Sequence, residues 1–458
     1  MTPLVPITMF GWIPVVIGFF AKFKPSRAVI IAFLSAWMFL PIAKYPLPGL
    51  PDYTKMSATC FGIFTAAFLF DQRRVLSFKP SLLDLPMICW CFCPLVSSLS
   101  NGLGLYDGLA TVLRYIFTWG FPFIVGRLYF SSLEGLRDFA LGILYGTLIY
   151  VPLCLFENIM SPQLHRWIYG YHQHDFSQTF RYGGWRPMVF MEHGLMVGVW
   201  MMSGALSSFW FWSTGTIKKI KALSFIWLMM LLFFTSLMAR SVGAIALLFM
   251  GAGILVVVKK LKTKILVVCL ILIPIFYIST RATGIWDGYS LQAFIAENIS
   301  VERALSLWTR MENENILREK ALERPYFGWG GWGRSRVYDE TGKDITVTDG
   351  LWIIIFGEHG LVGLGLFTLS MLMPIVVFLK YYPVKTWTLP KVAPSAVLSI
   401  LLGLYMVDNL LNAMINPVFT VIAGGLTGIK KEQDAKYETN TSSEEAPIIR
   451  IYKQTRFL

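Results

Sequence analysis

Long apolar runs recur along almost the whole 458-residue chain, and they constrain its fold more than any other feature. Most have 15–23 residues, close to the roughly 20 that a helix needs to cross a bilayer, and short polar breaks separate most of them. Because unpaired backbone groups are costly in lipid, such runs fold as helices. The sequence predicts an all-α polytopic membrane protein with about 12 or 13 transmembrane helices, near residues 4–21, 28–43, 56–70, 84–99, 108–130, 138–159, 186–212, 223–239, 243–258, 265–279, 350–379, 394–410 and 417–429.

The basic residues indicate how these helices are oriented. The formal net charge is +13, which in a soluble chain would suggest nucleic acid as a partner. Here Lys and Arg cluster in alternate short breaks, such as 22–27, 73–79, 218–221, 259–264 and 380–391. This is the positive-inside pattern, and it predicts that the basic breaks are cytoplasmic. The polar tail 430–458 is then cytoplasmic too, and its composition predicts disorder.

Two long polar segments, 160–185 and 279–349, then fall on the outer face. In the second segment, residues 302–324 contain no Gly or Pro and predict a helix that ends before Pro325. We therefore expect a long, partly helical periplasmic loop. The glycine-rich stretch 328–333 predicts a tight loop whose free amides can approach a ligand closely.

Three arginines, Arg186, Arg240 and Arg310, are expected at the outer ends of helices or just beyond them. Arginine is costly in a membrane protein, and its planar fork suits phosphate. We therefore predict an anion site, most simply for a phosphate group, at the outer surface. Structural alternatives remain open for each: Arg186 as the start of an interfacial helix, Arg240 as a cap for the helix ending at 239, and Arg310 as a side chain that snorkels or pairs with Glu314.

Several short motifs around these arginines resemble a known family. They are Arg186-Pro187 followed by Glu192-His193-Gly194, the segment Ser236 to Ser241, the run Glu-Arg-Pro-Tyr-Phe-Gly-Trp-Gly at 323–330, and Glu358-His359-Gly360-Leu361-Val362-Gly363. In their order and sidedness, the chain resembles the O-antigen ligase and O-antigen polymerase superfamily of bacterial envelope glycan enzymes. The resemblance is firmest from about 180 to 380.

The resemblance implies a metal-independent, inverting glycosyltransferase of the bacterial inner membrane, with its site facing the periplasm and no cofactor. The donor would be a glycan on undecaprenyl diphosphate, and other polysaccharide-assembly proteins are candidate partners. The acceptor would be lipid A–core for a ligase, or a second carrier-linked glycan for a polymerase. Arg186 and Arg240 are then expected to bind the diphosphate, with Arg310 as a third candidate.

The general base is where the sequence departs from the family. Ligases of this family carry a histidine just before the helix that here begins near Gly350, and this chain has Asp349. Either Asp349 accepts the proton, or Glu192 or His193 has taken the role. Asp349 is also a suitable N-cap for that helix, and the second Glu-His-Gly, 358–360, is expected to serve packing and a bend.

A rival function is a transporter or flippase of the same lipid-linked glycan, which would use the arginines for binding without chemistry. The sequence shows no inverted repeat and no pair of interrupted helices of the kind that transporters use. The long outer loop suits catalysis better than translocation, so glycosyl transfer is the primary hypothesis.

Overall fold

The computed structural model of the protein describes residues 1–220, 223–298 and 300–430. Within these residues, nine helices are long and apolar enough to cross a membrane, and four apolar helices are shorter. Each of the thirteen predicted runs overlaps one of these helices, which confirms an all-α, multi-pass membrane protein. The predicted disordered tail lies outside the described residues from 431 onward.

The helices are α1 (Leu4–Lys22), α2 (Pro25–Phe39), α3 (Lys55–Phe70), α4 (Gln72–Leu76), α5 (Leu85–Ser100), α6 (Leu105–Tyr115), α7 (Phe121–Tyr129), α8 (Leu133–Met160), α9 (Leu164–Tyr169), α10 (Gly194–Ser213), α11 (Phe225–Met238), α12 (Val242–Leu261), α13 (Ile265–Thr283), α14 (Tyr289–Asn298), α15 (Val301–Leu322), α16 (Leu351–Tyr381), α17 (Ala393–Leu411) and α18 (Pro417–Thr427). A π-helical turn, Ile116–Gly120, joins α6 to α7. Three small antiparallel hairpins pair β1 (Lys44–Leu47) with β2 (Leu50–Thr54), β3 (Phe180–Arg181) with β4 (Gly184–Trp185), and β5 (Lys219–Ile220) with β6 (Leu223–Ser224).

Hydrogen bonds between segments show which helix ends share a face. The Thr2 N–H donates to the Tyr169 carbonyl at 2.9 Å, so the start of α1 lies beside segment 160–185. Asn101 Nδ2 donates to the Gly328 carbonyl at 2.8 Å, which joins the end of α5 to the second long loop. Since the apolar helices alternate in direction, both long loops lie on one face and the basic breaks lie on the opposite face.

The predicted helix in the second loop is confirmed as α15, and it is buried on one side only. Met311, Leu317 and Ala321 are buried, whereas Glu319 and Glu323 are exposed. Apolar burial on one side only is what docks an amphipathic helix onto a protein surface. α15 therefore lies against the outer ends of the membrane helices.

A buried ion pair anchors α15 to this surface. Arg281, at the outer end of α13, and Glu314 of α15 are 1% and 3% exposed, and Arg281 Nη2 lies 2.9 Å from Glu314 Oε2. Glu314 also accepts hydrogen bonds from the Tyr277 hydroxyl and from Trp352 Nε1 at the start of α16. One carboxylate thus ties the outer helix to both α13 and α16.

The helix α16 is interrupted at Gly360, whose φ of 65° and ψ of −165° are accessible to glycine and strained for other residues. The backbone groups freed by the break bond to the loop after α15. Leu361 N–H donates to the Pro325 carbonyl at 2.7 Å, and Trp329 N–H donates to the Gly357 carbonyl at 2.9 Å. The prediction that 358–360 serves packing and a bend is confirmed.

α7 and α18 approach each other so closely that only glycine fits at the points of contact. A Cβ built on Gly126 would lie 2.1 Å from the Val421 carbonyl oxygen, and one on Gly424 would lie 2.0 Å from the Phe123 carbonyl oxygen. Small residues at such crossings let helix backbones meet directly in membranes. A helix from the last part of the described chain is therefore fitted to one from its first third.

We expect Glu314→Gln to destabilise the outer loop, because it leaves Arg281 buried without its counter-charge. Breaking a buried ion pair costs about 3–5 kcal/mol. Thermal unfolding of the detergent-purified protein should show a lowered Tm, and amide exchange should quicken in α15. Glu302→Gln, at an exposed position of the same helix, is the matched control and should have little effect. An unchanged Tm for Glu314→Gln would mean that the carboxyl is already protonated.

Candidate functional site

The segment that carries Arg186 is not helical, which corrects the sequence interpretation. The helix predicted to begin at 186 begins at Gly194, as α10. Pro187 disfavours helical geometry in the residue before it, and Val189 has a positive φ of 51°. Glu192 therefore does not lie two helical turns below Arg186, as a helix from 186 would have required.

A buried carboxylate holds this segment in position. Glu157, near the outer end of α8, is 1% exposed. It accepts the backbone N–H groups of Met188 at 2.9 Å and Val189 at 2.7 Å, and also that of Leu164. These bonds replace the helical partners that the two amides lack. Glu157 thus fixes the backbone next to Arg186.

Arg186 is buried beneath the outer surface, with 8% of its area exposed. Its Nη2 donates to the Arg240 carbonyl at 3.3 Å, and its Nε is buried with no partner among the described residues. A Cβ on Gly194 would lie 2.3 Å from the Arg186 Cδ, so the glycine leaves room for this side chain. The alternative that Arg186 merely starts an interfacial helix is wrong.

Arg240 occupies the tight turn between α11 and α12, in the left-handed region with φ of 49°. Its Nη1 donates to the Tyr182 carbonyl at 2.6 Å, across to the β3–β4 hairpin. The side chain therefore does not cap its own helix. A Cβ on Gly184 would lie 2.2 Å from Arg240 Nη2, so a glycine again makes room for a guanidinium group.

Arg186 and Arg240 form a pair of cations without an anion. Among residues 1–220, 223–298 and 300–430, no carboxylate makes an ion pair with either arginine. Nε of Arg240, like that of Arg186, is buried without a partner. Burial, together with the nearby Arg181, lowers the pKa of Arg186. Two unpaired guanidinium groups on one face have the charge and the free donors to bind a phosphate or diphosphate.

His193 acts as the N-cap of α10. Its Nδ1 accepts the Leu195 N–H at 3.0 Å, so the ring proton is on Nε2, which lies 3.3 Å from Gln178 Oε1. Burial, and then the neighbouring His174, Arg186 and Arg181, lower the pKa of His193 to about 4. Both ring nitrogens are thus engaged, as expected for a buried histidine with a structural role. Glu192 beside it is exposed and interacts electrostatically with Lys55.

Arg310 and Asp349 pair with each other. Arg310 Nε lies 3.4 Å from Asp349 Oδ2, and Arg310 Nη1 donates to the Leu411 carbonyl at 3.0 Å. The two side chains are 30% and 39% exposed. The helix α16 begins with Gly350 as its N-cap, and no side chain caps it, so the N-cap alternative for Asp349 is wrong. The predicted third phosphate ligand therefore has an anionic partner within the chain.

The two pairs are on the same face but are not in contact. Arg310 bonds to the outer end of α17, and α17 packs against α10, which begins beside Arg186. In the part of the chain that the structure describes, no hydrogen bond or ion pair joins Arg310 or Asp349 to Arg186 or Arg240. The predicted arginines thus form two groups, Arg186 with Arg240 and Arg310 with Asp349.

The first half of the glycine-rich loop does not present free amides to a ligand, contrary to the sequence interpretation. The N–H groups of Gly328, Trp329 and Gly330 donate to the carbonyls of Arg324, Gly357 and Glu358 at 2.9–3.0 Å. The amides of Trp329 and Gly330 complete the interrupted helix α16 instead. The geometry that suggested ligand binding, a tight glycine turn, here serves packing.

Sequence reasoning missed four residues that position the predicted site residues or the helix α15 beside them: Glu157, Gln178, Gly184 and Arg281. Glu157 did give a signal, since a carboxylate near the end of an apolar run is costly and needs partners. Gly184 gave none, because only the folded hairpin brings it against Arg240. His165 lies in the polar segment 160–185 yet is only 1% exposed, and its Nδ1 lies 2.9 Å from the Tyr171 carbonyl.

No protein-family model matches the chain, and no curated protein matches it significantly. The function is therefore argued from these residues.

We expect His193→Asn to preserve the fold, because asparagine is a good N-cap, and to weaken the pH dependence of stability. Wild-type His193 titrates at about 4 in the fold and at about 6.5 when unfolded. Its contribution is therefore complete above pH 6.5 and is lost as the pH falls towards 4, a change on the order of 2–3 kcal/mol.

Thermal unfolding at pH 7.5 and pH 5 measures this effect. The variant should lose less stability than wild type at pH 5, while His165, whose pKa burial also lowers to about 4, keeps part of the dependence. Equal losses would contradict the buried neutral imidazole. A stable but inactive variant would make His193 the candidate base.

Proposed function

We propose that the protein is a glycosyltransferase of the bacterial inner membrane that uses a polyprenyl-diphosphate-linked glycan, with its site on the periplasmic face. It would transfer the glycan to lipid A–core or extend a second carrier-linked glycan. The unpaired guanidinium groups of Arg186 and Arg240 carry this proposal. They lie on the face opposite the basic breaks, where a lipid-borne diphosphate would present its phosphates.

The proposed reaction is a displacement at the anomeric carbon of the donor. The acceptor oxygen forms a bond to that carbon as the bond to the diphosphate oxygen breaks, and the electron pair leaves with the diphosphate. The leaving group gains negative charge in the transition state. Arginines already held at that position stabilise it without reorganising, and bidentate contacts give the geometry that a phosphate needs.

The acceptor hydroxyl loses a proton in this displacement, and Asp349 is the proposed proton acceptor. A general base has to reach the acceptor hydroxyl directly or through one water. Asp349 is partly exposed on the same face as the arginine pair, whereas both ring nitrogens of His193 are occupied. Arg310 then orients the carboxylate, and its role in binding the diphosphate becomes secondary.

The alternative is a transporter or flippase of the same glycan lipid, and the interruption of α16 is the feature that such a protein would use. Against it, the freed backbone groups at the break bond to residues 325–330 of the same chain. Because these hydrogen bonds bridge the break, we expect α16 to be rigid at this point and not to act as a gate.

The decisive experiment is turnover by purified protein in detergent or nanodiscs, with the producing cell's own carrier-linked glycan as donor and without added metal. Formation of a longer or transferred glycan, together with release of polyprenyl diphosphate, supports the enzyme. Movement of intact glycan lipid across proteoliposome membranes without any product supports the transporter.

We expect Arg186→Ala to lower turnover by about tenfold to more than a hundredfold, since a hydrogen bond to a charged group contributes about 1.5–3 kcal/mol. Arg186→Lys should restore only part of the activity, because lysine cannot make the bidentate contact.

Arg240→Gly separates function from folding, because glycine relieves the positive φ while it removes the guanidinium group. This variant should fold at least as well as Arg240→Ala and be as inactive. Arg181→Ala is the control and should retain much more activity. Arg181 is exposed on the β3–β4 hairpin, which Arg240 contacts. Near-normal turnover by both Arg186→Ala and Arg240→Gly would exclude the proposed diphosphate site.

We expect Asp349→Asn to abolish turnover and to leave donor binding nearly intact, because asparagine keeps the shape but cannot accept the proton. Asp349→His should keep some activity. Arg310→Gln disrupts the ion pair yet leaves the carboxylate, so it should lower turnover only partly. Equal, modest losses in Asp349→Asn and Arg310→Gln would instead assign the pair a purely structural role.

A further inference from the structure

A groove that does not include the arginine pair lies between α15 and the loop that follows it. Its volume is about 610 Å³, within the range of pockets that hold small ligands. One wall is a stripe of α15, and the other is the segment 334–338. The lining residues are Ile316, Glu319, Lys320, Glu323, Trp329, Arg334, Arg336, Val337 and Tyr338.

The floor of this groove is rigid. Trp329 Nε1 donates to the Lys320 carbonyl at 2.8 Å, and Lys320 Nζ lies 3.9 Å from the centre of the Trp329 ring. Arg324 packs against the same ring at 4.5 Å. Arg336 is held by Asp344 and, through Nη2, by Thr348 at 3.3 Å. The groove is thus preformed and needs little ordering to bind a ligand.

Neither Arg310 nor Asp349 lines the groove, but each is close in sequence to one of its walls. Thr348, which bonds to Arg336, directly precedes Asp349 in the chain. On α15, Arg310 lies six residues before Ile316, which is about 9 Å along a helix axis. A chain-like ligand that fills the groove would therefore end close to the Asp349 carboxylate.

The chemistry of the walls selects among ligands. Three cations and two carboxylates line the groove beside the exposed ring of Tyr338, which has 46% of its area accessible. A polyanion would meet Glu319 and Glu323 as well as the cations, and an acyl chain would place these charged groups against hydrocarbon. A saccharide offers hydroxyls that both donate and accept hydrogen bonds and apolar C–H faces that pack on an aromatic ring.

We propose that this groove binds a saccharide chain and holds it with one end near Asp349. The inference rests on the proposed glycosyl transfer and deepens it by giving the glycan a site of its own, separate from the diphosphate site. The chain bound there belongs either to the acceptor or to the donor. Kinetics with each substrate varied in turn distinguish the two sources.

The test uses the full-length protein in nanodiscs and, as probe, the oligosaccharide freed by mild acid from the producing cell's carrier-linked glycan. Binding is measured by calorimetry. Tyr338→Ala and Arg334→Ala should each weaken binding about tenfold, the scale of one aromatic or charged contact. Tyr326→Ala, at an exposed tyrosine that does not line the groove, is the matched control and should bind as wild type does.

In the turnover assay, the two groove variants should raise KM for one substrate and keep kcat. A raised KM for the acceptor assigns the groove to the acceptor, and a raised KM for the donor assigns it to the donor glycan. Unchanged binding and unchanged KM in both variants, with active wild-type protein, would overturn the groove proposal alone. Oligosaccharide binding that depends on Tyr338, without any turnover, would retain the groove and reject the transfer reaction.

Discussion

A backbone amide or carbonyl that leaves a helix at a membrane has to find a partner inside the protein, because lipid offers none. Three departures from helical structure follow this requirement. The Glu157 carboxylate receives the amides before α10. The loop after α15 completes α16 around Gly360. The carbonyl of Arg240, in the turn before α12, accepts a hydrogen bond from Arg186 Nη2. Candidate functional side chains lie next to these non-helical segments. Within regular helices, the backbone polar groups already have hydrogen-bond partners.

The apolar pattern predicted the fold well because each run has to become a helix whatever surrounds it. The helix 302–324 was also predictable, since its burial follows a regular period. Its partner was not, because Arg281 and Glu314 are 33 residues apart in sequence and meet only when α15 docks. Likewise, Arg186 was expected on the face opposite the basic breaks and lies there, but the start of its helix was predicted wrongly. Nothing local in 186–193 shows that Glu157 provides the missing hydrogen-bond partners.

The candidate site was therefore predictable by residue type and by face, but not by pairing. Arg310 shows the difference most clearly. It was the third candidate for binding an anion, and its anion is Asp349 from the same chain. By contrast, the Nε–H groups of Arg186 and Arg240 are buried donors without hydrogen-bond partners among the described residues. Only contacts between segments that are distant in sequence show whether an arginine has an anionic partner within the chain.

The direct crossing of α7 and α18 bears on how the chain is assembled during synthesis. The ribosome releases α7 nearly 300 residues before α18, so in the interval the surface around Gly126 faces lipid or another protein. The surface of α7 at this crossing stays uncovered by the protein until α18 inserts. A transmembrane chaperone that shields such a surface would be displaced when α18 inserts. Quality control that recognises the uncovered α7 surface would then distinguish chains that contain α18 from chains that lack it.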